Sequence, residues 1–331
     1  LNPLTQRPPT YRDAQRDFRR PDEPLRRFAK AKVVCEGWYF VGRATAWAPG
    51  VVRRVSIGPC DVVMYRDWSG TMRAVERACG HMGADLVLGR VVEAGLQCAF
   101  HRWCWGPDGS CAAGGGVSER RRIRTYAVRE KWGIVWIWAG GAPLYELPDP
   151  APVHARRVLR LPPQRLNCHP HVILGNGLDF AHVPSVHRFR MLEDPAVELD
   201  PPHRLTVGIS GRFGSTWMRR LLRLAGRTAR WRFTTIGPSL AWLTVESPTR
   251  FELLWAARPL PDGTSETRTV LFLASRRSLA RALPMMIATT WADKRTLQGL
   301  RFRDGFVPSD AVFCLYARLI EELPEWTPDP I

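Results

Sequence analysis

Short apolar runs, each about the length of one strand, dominate the first half of the chain. Trp38–Val41, Val51–Ile57, Val62–Tyr65 and Ile134–Trp138 are separated by turns containing Gly, Pro and Asp, and predict a small antiparallel, barrel-like domain from about Val33 to Gly141. Residues 1–32 are rich in Pro and Arg, have little periodicity and read as an arm. Pro143, Pro148, Pro150 and Pro152 mark a linker, because proline stops regular structure from continuing. Beyond it, the strand-like stretches Leu205–Ser210, Leu240–Glu246, Phe251–Ala256 and Thr269–Ala274 alternate with helical ones, the last two predicted over Met285–Phe302 and Ser309–Leu323. The pattern therefore predicts an α+β chain with an arm at 1–32, an all-β domain at 33–145 and a second domain at 146–331, without internal repeats.

Composition narrows the picture. The 331 residues are long enough for one large core or two modest ones, and 45% of them are apolar. No apolar run approaches the length of a transmembrane helix. No apolar leader opens the sequence, and Arg19-Arg20 is followed by Pro21, so the expectation is a cytoplasmic protein, with peripheral contact to the inner membrane face as an option. The eight cysteines lack the spacing of a disulfide framework. Net charge is +17, and the stretch from Pro201 to Val245 has eight arginines and no acidic residue. Such a field attracts acidic redox partners or anionic lipid; nucleic acid is not expected, since no nucleic-acid motif accompanies the charge.

Candidate chemistry begins with CGHMGADLVLGRVVEAGLQCAFH, which carries Cys79, His81, Cys98 and His101 as Cys-x-His, sixteen residues, then Cys-x-x-His. Two thiolates on one iron and two neutral imidazoles on the other hold a [2Fe–2S] cluster of raised potential. Chance would produce this four-position pattern in roughly one of 10,000 such chains. A zinc site uses the same ligand types and is the main competitor.

A second motif runs from Asn176 to His187, Asn-Gly-Leu-Asp-Phe-Ala-His-Val-Pro-Ser-Val-His. Asp179 and His182 are three apart and would share a helix face. His182 and His187 are five apart, about 140° around a continuous helix, so Pro184 is expected to break the helix and let His187 swing back beside His182. Two imidazoles and one carboxylate on one face of a ferrous ion leave positions open for oxygen. The competing reading is of helix-terminal histidines satisfied by backbone groups. No G-x-G-x-x-G follows a strand, so electrons are expected from another protein rather than from a bound nicotinamide or flavin.

With Gly80, Gly83, Gly89 and His101-Arg102-Trp103 flanking the first motif, the chain resembles the Rieske non-heme iron oxygenases over about residues 35–315. Ala84 and Phe100 stand where respiratory Rieske proteins carry disulfide cysteines, which points to the lower-potential oxygenase type. Ala99 and Arg102 replace the usual Pro and Gly. The resemblance implies a [2Fe–2S] Rieske domain followed by a helix-grip (START-like) catalytic domain with an antiparallel sheet. It implies a mononuclear Fe(II) using O2, a ferredoxin or NAD(P)H-dependent reductase as donor, and a homotrimer in which one subunit's cluster feeds the next subunit's iron. Asp179 would bridge His182 and His101 of the partner subunit, and with Asn176 it is a candidate catalytic residue. Asp293, in an expected late helix, is the candidate third ligand beside His182 and His187, with Asp304 and Asp310 in reserve.

The form Asn176-Gly177-x-Asp179-x-Ala181-His182 looks most like the subgroup acting on steroids and sterols, implying hydroxylation or oxidative demethylation of a hydrophobic, sterol-like substrate. An aromatic-ring oxygenase or an O- or N-demethylase is the alternative within the family. An alternative of another class is a Rieske electron carrier fused to a non-catalytic lipid-binding domain. The segment 217–225 places apolar residues on one helical face and arginines on the other, which suits an anionic membrane surface, a docking face for an acidic reductase, or simple solvation.

Overall fold

The computed structural model describes residues 9–113, 121–213, 228–247 and 249–328. The segment 217–225, expected to be a basic amphipathic helix, lies outside them. The described residues divide into two compact units. One comprises Ala31–Leu147, Arg258–Asp262 and Pro324–Ile331; the other comprises Leu1–Lys30, Pro148–Ala257 and Gly263–Leu323.

The first unit is all β. Its strands are β1 (Gly37–Arg43), β2 (Val52–Ile57), β3 (Cys60–Arg66), β4 (Met72–Glu76), β5 (Arg90–Val92), β6 (Gly95–Gln97), β7 (Cys104–Trp105), β8 (Cys111–Ala113), β9 (Thr125–Tyr126), β10 (Val128–Lys131) and β11 (Ile134–Ala139). They form three sheets ordered β1-β11-β10, β2-β3-β4-β9 and β5-β6-β7-β8. Alternation along β2–β4 sends Val55, Ile57, Val62, Met64, Met72 and Ala74 into one core, with Tyr39, Val135 and Ile137. The opposite face supplies Val63, Tyr65 and Val75 to a second core that also contains Cys79, Leu86, Leu96, Cys98 and Trp105. The short sheet carrying the cluster motif is thus packed against the larger one. Trp326 joins the first core, and its N–H donates to Val34 O at 2.8 Å, so the C-terminal segment belongs to this unit.

The second unit is built on β12 (Arg157–Arg160), β13 (Gln164–Leu166), β14 (Phe189–Met191), β15 (Ala196–Asp200), β16 (Arg204–Phe213), β17 (Ala229–Ile236), β18 (Leu240–Ser247), β19 (Phe251–Pro259) and β20 (Ser265–Leu273). The nine strands make one sheet, β12-β20-β19-β18-β17-β16-β14, with β13 beside β20 and β15 beside β16. Its helices are α1 (Tyr11–Arg16), α2 (Pro170–Gly175), α3 (His182–His187), α4 (Arg276–Leu297) and α5 (Ala311–Glu322). From Pro9 onward the arm packs on this unit: Thr10 caps α1, and Val197 N–H donates to Pro9 O at 2.9 Å. No helix among the described residues is long and apolar enough to cross a bilayer.

Two boundaries differ from the periodicity. Helix α4 starts at Arg276, nine residues before the expected start, because Ser275 caps it through a bond from Ser278 N–H and the helix tolerates Pro284 in its interior. It ends at Leu297, before Gly299, rather than at Phe302.

A buried histidine pair makes this unit sensitive to acid. His169 caps α2, its Nδ1 accepting from His171 N–H at 3.3 Å, and His171 Nδ1 accepts from Ala29 N–H at 3.2 Å. Burial pushes His169 down to about 4 and His171 well below the ordinary range. Both therefore stay neutral when folded but would gain a proton below about pH 6.5 when unfolded. Their contribution is complete above pH 6.5 and is lost as pH falls from there towards 4, at up to about 1.4 kcal/mol per pH unit for each histidine. Denaturant midpoints should fall between pH 7.5 and 5, and His169→Asn should flatten that slope. An equal slope in the variant would remove His169 as a cause.

Candidate metal centres

The cluster ligands lie on two loops closed in the same way. Cys79 N–H donates to Ala84 O at 2.9 Å, and Cys98 N–H donates to Trp103 O at 2.8 Å, each bond spanning five residues. The fourth residue after each cysteine turns left-handed: Gly83 at φ 75° and Arg102 at φ 63°. Arg102 therefore occupies a conformation that costs an L-residue roughly 1–2 kcal/mol and that glycine adopts freely. This locates the departure noted from the sequence: the turn is retained with the larger residue.

Cys79 and Cys98 are buried, whereas His101 and the neighbouring Phe100 and Met82 are exposed, so the imidazole side faces solvent. The His81 ring is stacked on Trp103 at 4.2 Å and 6°, and lies 4.6 Å from His101. Arg121 donates to Gly80 O at 2.9 Å and places its guanidinium 5.9 Å from the Trp103 ring. Burial pushes the Cys79 thiol up, and partial desolvation with His101 and Arg121 nearby pushes His81 down. The imidazole is thus in its metal-binding form, while the thiol requires a cationic centre to deprotonate it.

One observation fits a bound cluster here: His81 Nδ1 is buried without a hydrogen-bond partner, as a metal-binding nitrogen would be.

The second centre is assembled from α3 and α4. Pro184 does not break the helix as expected. It occupies the third position of α3, where the backbone N–H has no intrahelical partner in any case. His182 and His187 are the first and last residues of this six-residue helix, and their Nε2 atoms meet at 3.1 Å. Asp293 Oδ1 lies 2.9 Å from His187 Nε2 and 3.7 Å from His182 Nε2, and is buried without a hydrogen-bond donor. His182 Nδ1 donates to Asp179 O at 2.6 Å, which leaves its Nε2 as a lone pair. Burial pushes His182 down, favouring the same neutral form. Two imidazole nitrogens and one carboxylate oxygen thus converge, a donor set suited to a divalent metal.

Asp179 is positioned differently from its expected geometry. It precedes the helix with extended backbone instead of sharing its face, and its Oδ1 accepts from Ala181 N–H at 2.9 Å and His182 N–H at 3.2 Å. The Asp179 carboxylate is 3.8 Å from His182 Nδ1, so the backbone carbonyl, not the side chain, fixes that ring. Asp304 and Asp310 are outside the converged group; Asp310 Oδ2 accepts from Val307 N–H at 3.0 Å.

The ligands line a cavity of about 200 Å³. Alternate residues of the sheet form its wall: Trp231 and Phe233 on β17, Leu243 and Val245 on β18, and Phe251, Leu253 and Trp255 on β19. Helix α4 covers it with Met286, Thr289, Thr290, Asp293, Lys294 and Leu297, spaced as one helical stripe. Asn176 also lines it. Strands β18 and β19 of this wall were legible in the sequence; β17, and which face enclosed a cavity, were not.

A family model described as the Rieske [2Fe-2S] domain matches residues 37–127. Residues 37–127 are a Rieske [2Fe–2S] domain. The chain is 30% identical over 165 residues to cholesterol 7-desaturase nvd of Bombyx mori, covering 48% of this chain and 36% of that protein. It is 32% identical over 121 residues to the 5,5'-dehydrodivanillate O-demethylase oxygenase subunit of Sphingobium sp., covering 34% and 28%. The matches thus span about a third of these curated relatives. The crystal structure of dicamba monooxygenase bound to dicamba aligns with a TM-score of 0.61 at 17% identity, over 89% of this chain and 97% of that one, which shows a shared fold. The chain is a homologue of Rieske oxygenases, with a [2Fe–2S] site in one unit and a His/His/Asp iron-binding group in the other.

Proposed function

We propose that this chain is a terminal oxygenase that uses O2 to oxidise C–H bonds of a hydrophobic substrate. The observation carrying the reading is the convergence of His182, His187 and Asp293 at the wall of an apolar cavity. An electron carrier fused to a lipid-binding domain would have no use for that triad. Iron held there by His182, His187 and Asp293 would supply O2 activation. The protein's own part is to keep His182 in one tautomer through Asp179 O, to exclude water with the aromatic wall, and to orient substrate beside Asn176. The electron donor is a separate ferredoxin or reductase, and Asp179 connects one subunit's iron to the partner's cluster in a homotrimer.

A sterol- or steroid-like substrate is the finer reading, supported by the form of the Asn176–His182 motif and the similarity to a cholesterol desaturase. A compact aromatic substrate for O-demethylation is the second reading. It is favoured by the cavity volume, which is below the roughly 300–1,000 Å³ usual for drug-sized ligands. Peripheral membrane contact through 217–225 belongs with the sterol reading. Incubation with reductase, NAD(P)H and either a sterol extract or methoxylated aromatic acids, followed by mass spectrometry, separates them. The expected result is one O2-dependent product class. Cluster reduction and reoxidation without any O2-dependent product would indicate a carrier.

A further inference from the structure

We propose that Lys294 anchors a substrate carboxylate at the mouth of the cavity. The inference deepens the oxygenase reading and rests on the cavity being the substrate site. On α4 the lining residues Met286, Thr289, Thr290, Asp293, Lys294 and Leu297 recur at alternating steps of three and one, so Lys294 shares the face that presents Asp293. Thr290 is exposed, Lys294 half-buried and Leu297 buried, which puts the opening on the Thr290 side of the stripe. Among the described residues Lys294 is the one lysine or arginine lining the cavity, and no carboxylate lies within ion-pair distance of it. Asp293, its chain neighbour, is directed to His187 and His182.

Four lysines stand among the 48 basic residues, so arginine is this chain's default cation and the slimmer point charge here is a departure. A guanidinium fork would fill much of a 200 Å³ space, whereas an ammonium leaves room for a ring. Thr289 donates its hydroxyl to Met286 O at 3.2 Å; Thr290, four residues before Lys294, is placed to serve the second carboxylate oxygen. An ammonium half-removed from water beside an apolar wall is costly until an anion joins it. An acid gains a charge-assisted hydrogen bond there, and a neutral analogue of the same shape leaves the ammonium unpaired. The volume favours a compact aromatic acid over a steroid acid as the source of that carboxylate.

Calorimetric titration of the anaerobic holoprotein reads the anchor without turnover. The probes are methoxybenzoate, veratrate and cholanoate, each against its methyl ester. The aromatic acids should bind wild type about 10–100-fold more tightly than their esters. Lys294→Met should erase that ratio by weakening the acids alone, with the esters reporting an intact cavity. Equal affinity of acid and ester in the wild type, an unchanged ratio in Lys294→Met, or no binding by any acid would overturn the anchor and leave the oxygenase reading standing. The expected ratio without O2-dependent product, when reductase is supplied, would sink the oxygenase reading and keep the anchor. Cholanoate bound in place of the aromatic acids would keep the anchor and make the carboxylate a steroid's.

Discussion

His187→Ala is expected to lose the mononuclear iron and all product formation while the cluster spectrum survives. His187 Nε2 is the central atom of the triad, 3.1 Å from His182 Nε2 and 2.9 Å from Asp293 Oδ1. Without it, one imidazole and one carboxylate remain, 3.7 Å apart. Loss of an outer partner of a metal ligand already costs about 10–100-fold in affinity or activity, and loss of a ligand should exceed that. His182→Ala and Asp293→Ala should behave alike. The cluster ligands belong to a different folding unit, so visible absorbance and labile sulfide report on them independently. Full activity in Asp293→Ala would move the carboxylate ligand to Asp304 or Asp310.

Asp179→Asn is expected to keep both metal centres largely loaded and to abolish coupled turnover. An asparagine side-chain oxygen can accept the bonds from Ala181 and His182 N–H, so the turn entering α3 should persist. The His182 tautomer should persist too, because it depends on the backbone carbonyl. The substitution thus removes a charge and leaves the local geometry in place. Single-turnover product from a pre-reduced, iron-loaded variant, compared with wild type, reads electron delivery directly. Wild-type turnover would show that the Asp179 carboxylate does not couple the centres.

The candidate ligands were more legible in the sequence than their supports. Cys79, His81, Cys98 and His101 were legible because two tight loops demand fixed local spacing. Asp293 was legible as a carboxylate on a late helix, although Pro284 concealed that helix's first two turns. The place of Lys294 at the cavity was hidden, because it depends on how α4 packs against the sheet. The place of Trp326 in the cluster unit was hidden for the same reason, being a contact between the chain's ends. Asp179 was misplaced by putting it on one helix face with His182, and Pro184 by expecting it to break the helix, whereas the chain makes a short 3₁₀ turn, an extended Asp179 and then α3 with Pro184 in its first turn.

The account's central claim is that one chain carries both a two-iron cluster and a mononuclear iron. Quantitative metal and acid-labile sulfide analysis of anaerobically purified protein tests it most directly. About three irons and two sulfides per chain are predicted. Zinc at the four cysteine and histidine ligands, with no labile sulfide, would contradict it.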